Sequence, residues 1–231
     1  SRSEIDELEP VDALEVQRTF YQPPRPETAR RWHERAPPAF RFAVKAWQLV
    51  THRRSSPTYR RLRDSLDEAR LDKAGDLAWN EVTRMAWDRT REIADALDAE
   101  AIVLQTPRSF RPDHGNLERL ATFFSQAPRD GRWIVFEPRG DAWTDELMER
   151  LVHEHRLVHG VDPFLRAPVG AGPAYFRLHG RPAYDYRYRY TDADLAALRR
   201  LLHEQGEGRV LFNNHAMAED ARRFRASLGP G

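Results

Sequence analysis

Phe40-Arg41-Phe42-Ala43-Val44-Lys45-Ala46-Trp47 is the key to the architecture, because its alternation assigns every residue to a side. Successive side chains of a strand point to opposite faces, so Phe40, Phe42, Val44 and Ala46 make one apolar face suited to covering helices. Arg41, Ala43, Lys45 and Trp47 are left on the other face, with Lys45 near the carboxyl end. Six further segments read as short strands: Ala13 to Gln17, Ala101 to Gln105, Trp133 to Glu137, Leu157 to Asp162, Ala174 to His179 and Arg209 to Asn213. Helical spacing fills the stretches between and after them: Pro26 to Arg35, Pro57 to Ala69, Asp76 to Leu97, Asp113 to Gln126, Asp141 to His155, Asp192 to Glu204 and Ala216 to Leu228. Strands alternating with helices are the signature of a parallel α/β sheet. Asp113 and Asp192 are expected to cap their helices, and Thr144 with Asp145 and Glu146 puts acid at a positive helix end. Between the strands ending at Lys45 and Gln105, Ser55 to Asp98 is too long for one crossover helix and predicts a helical insertion or lid, with Trp79, Met85 and Trp87 as core residues.

The 231 residues show no composition break or Ser/Gly linker and read as one domain over 1–231. Lys+Arg number 37 against 36 Asp+Glu, a formal charge of +1, which removes the general cationic field of a nucleic-acid or membrane binder and leaves room for a local basic groove. The absence of Cys excludes disulfides, thiolate metal sites and cysteine nucleophiles. No apolar run approaches the ~18 residues of a membrane span and no secretory core is present, so a cytoplasmic protein is expected.

The same parity sends Glu15, Gln17, Lys45, Gln105, Glu137, Arg139, Tyr175, Arg177 and His179 inward, and Asp162 and Asn213 also end their strands. Read as a (β/α) barrel, the chain gathers seven polar strand ends where such barrels carry their chemistry, under the loops that follow the strands. Glu and Lys are seldom buried unpaired, so the plainer reading is an ion-pair network in which Lys45 meets Glu15 or Glu137.

Six motifs in this order resemble the YecE-like family, the domain of unknown function seventy-two. They are Glu15-Val16-Gln17-Arg18-Thr19-Phe20-Tyr21, Phe42-Ala43-Val44-Lys45-Ala46 with Thr51-His52, Gln105-Thr106-Pro107 with Phe110, Glu137-Pro138-Arg139 with Trp143, Arg177-Leu178-His179-Gly180, and Phe212-Asn213-Asn214. The resemblance implies a TIM-barrel-like fold with no established activity, and recurrent positions at the strand ends picked out by parity. It also implies a first strand and a Gly-x-x-Gly-Trp-like segment before Glu15, which this sequence lacks. Seven strands where a closed barrel needs eight predict that Ser1 to Pro10 shields the gap or that an upstream segment fills it.

The expected function is acid/base chemistry on a small polar or phosphorylated, sugar-like substrate, with the class open between hydrolysis and isomerisation or elimination. Glu137 is the principal acid or base with Glu15 beside it, His179 carries protons and Lys45 stabilises charge. Gln105, Arg139, Asp162, Arg177, Asn213, Asn214, His52 and Tyr184 are expected to bind substrate. An anion is suggested by Arg139, Arg177 and Lys45 on one face and by a helix starting after Asn214. Glu137, Asp162 and His179 offer metal donors, but no short His spacing supports a site, and His153, His155 and His159 read as solvated; no metal or cofactor is assigned. Val169 to Pro173 lacks the residues of a phosphate loop. Tyr184-Asp185-Tyr186-Arg187-Tyr188-Arg189-Tyr190 interleaves Tyr with Arg as single-strand binders do, which makes nucleic-acid binding or processing the alternative, and a non-catalytic binding module the third.

Overall fold

The computed structural model describes residues 11–229. Seven parallel strands form one sheet in sequence order: β1 (Ala13–Val16), β2 (Arg41–Lys45), β3 (Ala101–Thr106), β4 (Trp133–Pro138), β5 (Val158–Val161), β6 (Ala174–Leu178) and β7 (Gly208–Phe212). The sheet curls into a nearly closed, TIM-barrel-like α/β fold. β3 and β4 share the longest ladder, Ala101 opposite Trp133 through Thr106 opposite Pro138, which sets Gln105 beside Glu137. Among the described residues β1 and β7 share no ladder. The ring is completed there by side chains: the Gln17 amide donates to Asn213 Oδ1 at 3.3 Å, and Arg225 pairs with Asp12. An apolar cleft of about 300 Å³ lies between those edges, lined by Ala13, Val210, Phe212 and Phe224 among others. The expectation that Ser1 to Pro10 covers this gap falls outside the described residues.

Two apolar layers follow from parity. Phe42, Val44, Ile102, Leu104, Ile134 and Phe136 pack outward under helices, joined on the β6–β7 side by Ala174, Phe176, Leu178 and Phe212. Ala43, Ala101, Val103, Val135, Val158, Tyr175 and Leu211 fill the interior from the other face of the same strands. Trp47 departs from this count. β2 stops at Lys45, so Trp47 escapes strand parity and joins the outer core at 2% exposure.

The helices are α1 (Arg18–Tyr21), α2 (Pro26–Arg35), α3 (Gln48–Thr51), α4 (Glu68–Asp72), α5 (Glu81–Ala96), α6 (His114–Gln126), α7 (Asp145–His155), α8 (Asp192–Gln205) and α9 (Met217–Ser227). Asp113 caps α6 as expected, and Thr144 caps α7 with Asp145 and Glu146 in its first turn. α8 is capped by Thr191 rather than Asp192, because Thr191 forms a reciprocal capping box with Asp194. The insertion departs most from its periodicity. Pro57 to Ala69 is not one helix but a 3₁₀ turn, Pro57–Arg61, then an extended stretch, then α4, since Ser56 and Asp67 each accept from backbone N–H groups two or three residues on and start separate turns. α5 begins at Glu81, not Asp76, because Asp76 and Leu77 have φ of 54° and 53°, outside any right-handed helix. Asn80 caps it. Trp87 is buried and Trp79 packs partly buried, but Met85 is 38% exposed and takes no part in the core. Among the described residues no helix is long and apolar enough to cross a membrane.

Candidate active site at the carboxyl ends of the strands

Arg177, on β6 and 1% exposed, is the hub. Its Nε donates to Glu15 Oε2 at 2.9 Å and its Nη2 to Glu15 Oε1 at 2.6 Å, while Nη1 donates to Glu137 Oε2. Tyr175 Oη donates to Glu15 Oε2 at 3.1 Å, and the Gln17 amide also reaches Glu15. Three strands, β1, β4 and β6, are thus tied across the barrel. The ion pairing expected of Lys45 is made by Arg177, whose planar fork can hold one carboxylate bidentately and a second on its remaining edge. Burial raises the pKa of Glu137, but the charges of Arg177, His179 and Arg139 outweigh it and hold this carboxyl below the usual range. Burial lowers the pKa of Arg177, and the two carboxylates more than reverse that.

Lys45 lies beside this network without joining it. Its Nζ donates to Gln105 Oε1 at 2.8 Å and stands 4.1 Å from the centre of the Phe20 ring. Burial, reinforced by the positive charge of Arg177, lowers its pKa to about 7. His52 packs edge-on against Phe20, shares a 2.8 Å hydrogen bond with Thr51 Oγ1, and is lowered to about 3, chiefly by burial.

A cavity of about 620 Å³ opens under the ends of β4, β5 and β6. It brings together Glu137, Arg139, Asp162, His179 and Tyr184 of the expected residues. Asp162 accepts hydrogen bonds from the backbone N–H groups of Phe164 at 3.1 Å and His179 at 3.3 Å, and burial raises its pKa to about 6. The His179 ring is 5.3 Å from the Tyr184 ring and is lowered to about 4, mainly by burial. The Arg139 guanidinium lies 4.7 Å from the Tyr184 ring, and its buried Nε has no protein partner.

Glu15, Lys45, Gln105, Arg177, Asn213, Asn214 and His52 lie off this cavity wall. Gln105 Nε2 and Asn213 Nδ2 are buried with no protein partner, so both keep a free donor at the strand ends. The Asn214 amide donates to the Tyr188 carbonyl and to Asp220 Oδ2, both at 2.7 Å, which ties the loop after β7 to α9 and to the tyrosine run. Among the described residues no group of three His, Asp or Glu side chains is arranged to hold a metal ion.

His159 is the residue sequence reasoning misplaced. Instead of lying in solvent it is 5% exposed on β5, takes a 3.1 Å hydrogen bond from the Val169 N–H, lines the cavity, and is lowered to about 4 by burial first. The signal was present, since the segment Leu157 to Asp162 already reads as a buried strand. Arg108 and Arg166 also line the cavity, from loops that parity does not reach.

Gly180 closes the Arg177-Leu178-His179-Gly180 motif with φ of +87°, and an added Cβ would overlap the carbonyl of Asp185. Glycine alone fits, both for the backbone angle and for the close approach of the tyrosine loop. Gly180→Ala is expected to lower stability by about 2 kcal/mol or more. Denaturant unfolding checks this, and a loss under ~0.5 kcal/mol would show that the loop moves aside freely.

Over residues 9–230 the sequence matches the family described as protein of unknown function DUF72. The fold is similar to a DUF72 family protein of Enterococcus faecalis V583, at 20% identity and a TM-score of 0.69 over 95% of this chain and 90% of that one. It is equally similar to a DUF72 family protein of Thermotoga maritima MSB8, at 23% identity and a TM-score of 0.69 over 95% of this chain and 85% of that one. A structure described as a D-tagatose 3-epimerase-like protein aligns at 16% identity and a TM-score of 0.56, over 94% of this chain and 86% of that one. At these identities the likeness is one of fold. No curated protein matches the sequence.

Proposed function

The chain belongs to the DUF72 family of proteins of unknown function, and we propose that it is an enzyme that transfers protons on a small polar, anionic substrate seated in the cavity under β4, β5 and β6. The observation that carries this is the contrast between two carboxyl groups on one cavity wall. Glu137 is held ionised by Arg177, whereas Asp162 has only backbone donors and is raised to about 6 by burial. Environments that push two neighbouring carboxyls apart assign them different tasks. Asp162 exchanges the proton near neutral pH, and Glu137 keeps its negative charge in the site. The titrating role expected of Glu137 therefore moves to Asp162, because Arg177 already engages Glu137.

His179, neutral at pH 7 from its lowered pKa, offers a ring nitrogen to donate or accept a hydrogen bond beside Tyr184. Arg139 and Arg108, for which no described carboxylate forms an ion pair, supply the positive charge that an anionic substrate needs on a wall where Arg166 is paired with Asp145 and carboxylates are numerous. Glu15 serves to orient Arg177. Lys45, Gln105 and Asn213 lie off the cavity wall, where Gln105 and Asn213 retain free donors.

Sugar phosphates and hydroxy acids incubated with the protein in D₂O provide the test, read as C–H exchange, isomerisation or hydrolysis by NMR. Asp162→Asn should reduce the rate by roughly 10² to 10⁴ with thermal stability close to that of the unsubstituted protein. The rate should also turn over near pH 6, the value to which Asp162 is raised. A folded Asp162→Asn protein with an unchanged rate, or a panel in which nothing turns over, would remove the proposal.

A further inference from the structure

Six guanidinium groups, those of Arg18, Arg25, Arg60, Arg61, Arg63 and Arg89, line a cleft of about 880 Å³ at the rim beside β1 and β2, with Asp64 the one carboxylate among its lining residues. The whole chain carries a formal charge of only +1, so this is strong local segregation. Several arginines elsewhere find carboxylates: Arg91 pairs with Asp130, Arg132 with Asp95, Arg166 with Asp145, Arg209 with Glu100 and Arg223 with Asp192. In the cleft Arg18, Arg25, Arg60 and Arg63 are exposed and form no ion pair with a described residue. Arg61 lies over the Tyr21 ring at 3.5 Å. Arg89 donates to the Pro24 carbonyl at 2.7 Å and pairs with Glu92.

The arrangement is held in place by uncharged contacts. Gln22 Oε1 accepts from the backbone N–H groups of Arg63 at 3.1 Å and Asp64 at 3.2 Å, which fastens the segment after the 3₁₀ turn to the connection between α1 and α2. Like charges fixed together raise the energy of the free protein and lower it again when a polyanion arrives.

We propose that this cleft binds single-stranded nucleic acid, with the guanidinium groups on successive phosphates and the bases on the flat faces of Tyr21 with Arg61, Trp32 and Pro24. The charges come from α1 and the α1–α2 connection, the 3₁₀ turn with its tail, and α5, a spread that follows a chain of phosphates rather than gripping one. The aromatic and proline faces among them give bases a stacking surface that a plain polyphosphate or acidic peptide would leave unused. The track continues along the rim. The Gln17 amide reaches Asn213 at 3.3 Å and the His215 N–H donates to the Tyr186 carbonyl at 2.7 Å, so the loops after β1, β7 and β6 follow one another from the cleft to Tyr186, 42% exposed, and the exposed Arg187. Tyr186 and Arg187, the part of the arginine–tyrosine run that does not line the barrel cavity as Tyr184 does, thereby lie on the same path.

The experiment is fluorescence anisotropy with labelled 12-mers of oligothymidylate and oligouridylate at several salt concentrations. Arg18→Gln/Arg60→Gln/Arg63→Gln removes three exposed charges that no described residue pairs. It should weaken binding at least 10-fold at low salt and make the slope of log K against log salt shallower by about 2, at about 0.7 for each phosphate no longer neutralised. A control of equal charge, Arg84→Gln/Arg156→Gln/Arg200→Gln, should keep binding near that of the unsubstituted protein. No binding at low salt, a cleft variant that binds as the unsubstituted protein does, or equal losses in cleft and control variants would each overturn the proposal. A polyphosphate or oligoglutamate of matched charge that displaces the 12-mers at equal concentration would overturn it too, since bases would then contribute nothing.

Discussion

Arg177→Met is expected to cost about 5 kcal/mol or more, most of the stability of a domain of this size. The change leaves Glu15 and Glu137 buried, at 5% and 7% exposure, with neither opposed by the guanidinium that now contacts both. Breaking one buried pair typically costs 3–5 kcal/mol because a charge is stranded in a poorly polarisable interior, and here one substitution strands two. Without Arg177, burial raises the proton affinity of Glu137 above that in the unfolded chain, so the variant's deficit relative to the unsubstituted protein should shrink as pH falls toward 5. Replacing both acids in the same background, Glu15→Gln/Glu137→Gln/Arg177→Met, should restore most of the loss, since Tyr175 and Gln17 still have an amide to meet. Urea unfolding at pH 7 and pH 5 decides it, and a single variant within 1 kcal/mol of the unsubstituted protein would falsify the view of Arg177 as the hub.

The second large effect is acid unfolding driven by buried histidines. His52, His159 and His179 are lowered, mainly by burial, to about 3, 4 and 4 from an ordinary 6.5. In the window from 6.5 down to about 4 the unfolded chain binds these protons and the folded chain does not, so stability falls as pH falls. Asp162 acts in the opposite sense, because its folded pKa of about 6 lies above the ordinary value of 3.8 and the folded state takes its proton first. Three groups outweigh one. Each full unit is about 1.4 kcal/mol, and the net loss between pH 7 and pH 4 is on the order of 5 kcal/mol. Lys45 adds nothing here, since its lowered value of about 7 shifts stability only between pH 7 and 10.5, where stability rises with pH. Urea midpoints at pH 7, 6, 5 and 4.5 give the slope directly. His179→Gln should reduce that slope by about one proton, and a midpoint that stays level from pH 7 to 4.5 would contradict the burial of neutral rings.

The strand order and the inward face were legible in the amino acids alone. Period-two alternation in Phe40 to Trp47 and its counterparts places Phe42, Ile102, Ile134 and Phe176 outward and Glu15, Lys45, Gln105, Glu137 and Arg177 inward, since the pleat leaves a strand residue only two directions. The partners of those inward groups emerge only on folding. Which inward cation meets which carboxylate depends on distances across the barrel between strands 162 and 40 residues apart, and these gave Glu15 and Glu137 to Arg177 and left Lys45 to Gln105 and Phe20. The same cause divides Asp162 from Glu137, identical in their strand-end signal and opposite in proton affinity because only Glu137 is hydrogen-bonded by a guanidinium. Local sequence also lost the insertion, where Asp76 and Leu77 take left-handed angles that no periodicity announces. The arginine cleft was illegible for a like reason. Arg18, Arg60 and Arg89 converge only once the insertion folds back against the loop after β1, and a net charge near zero averages their field away.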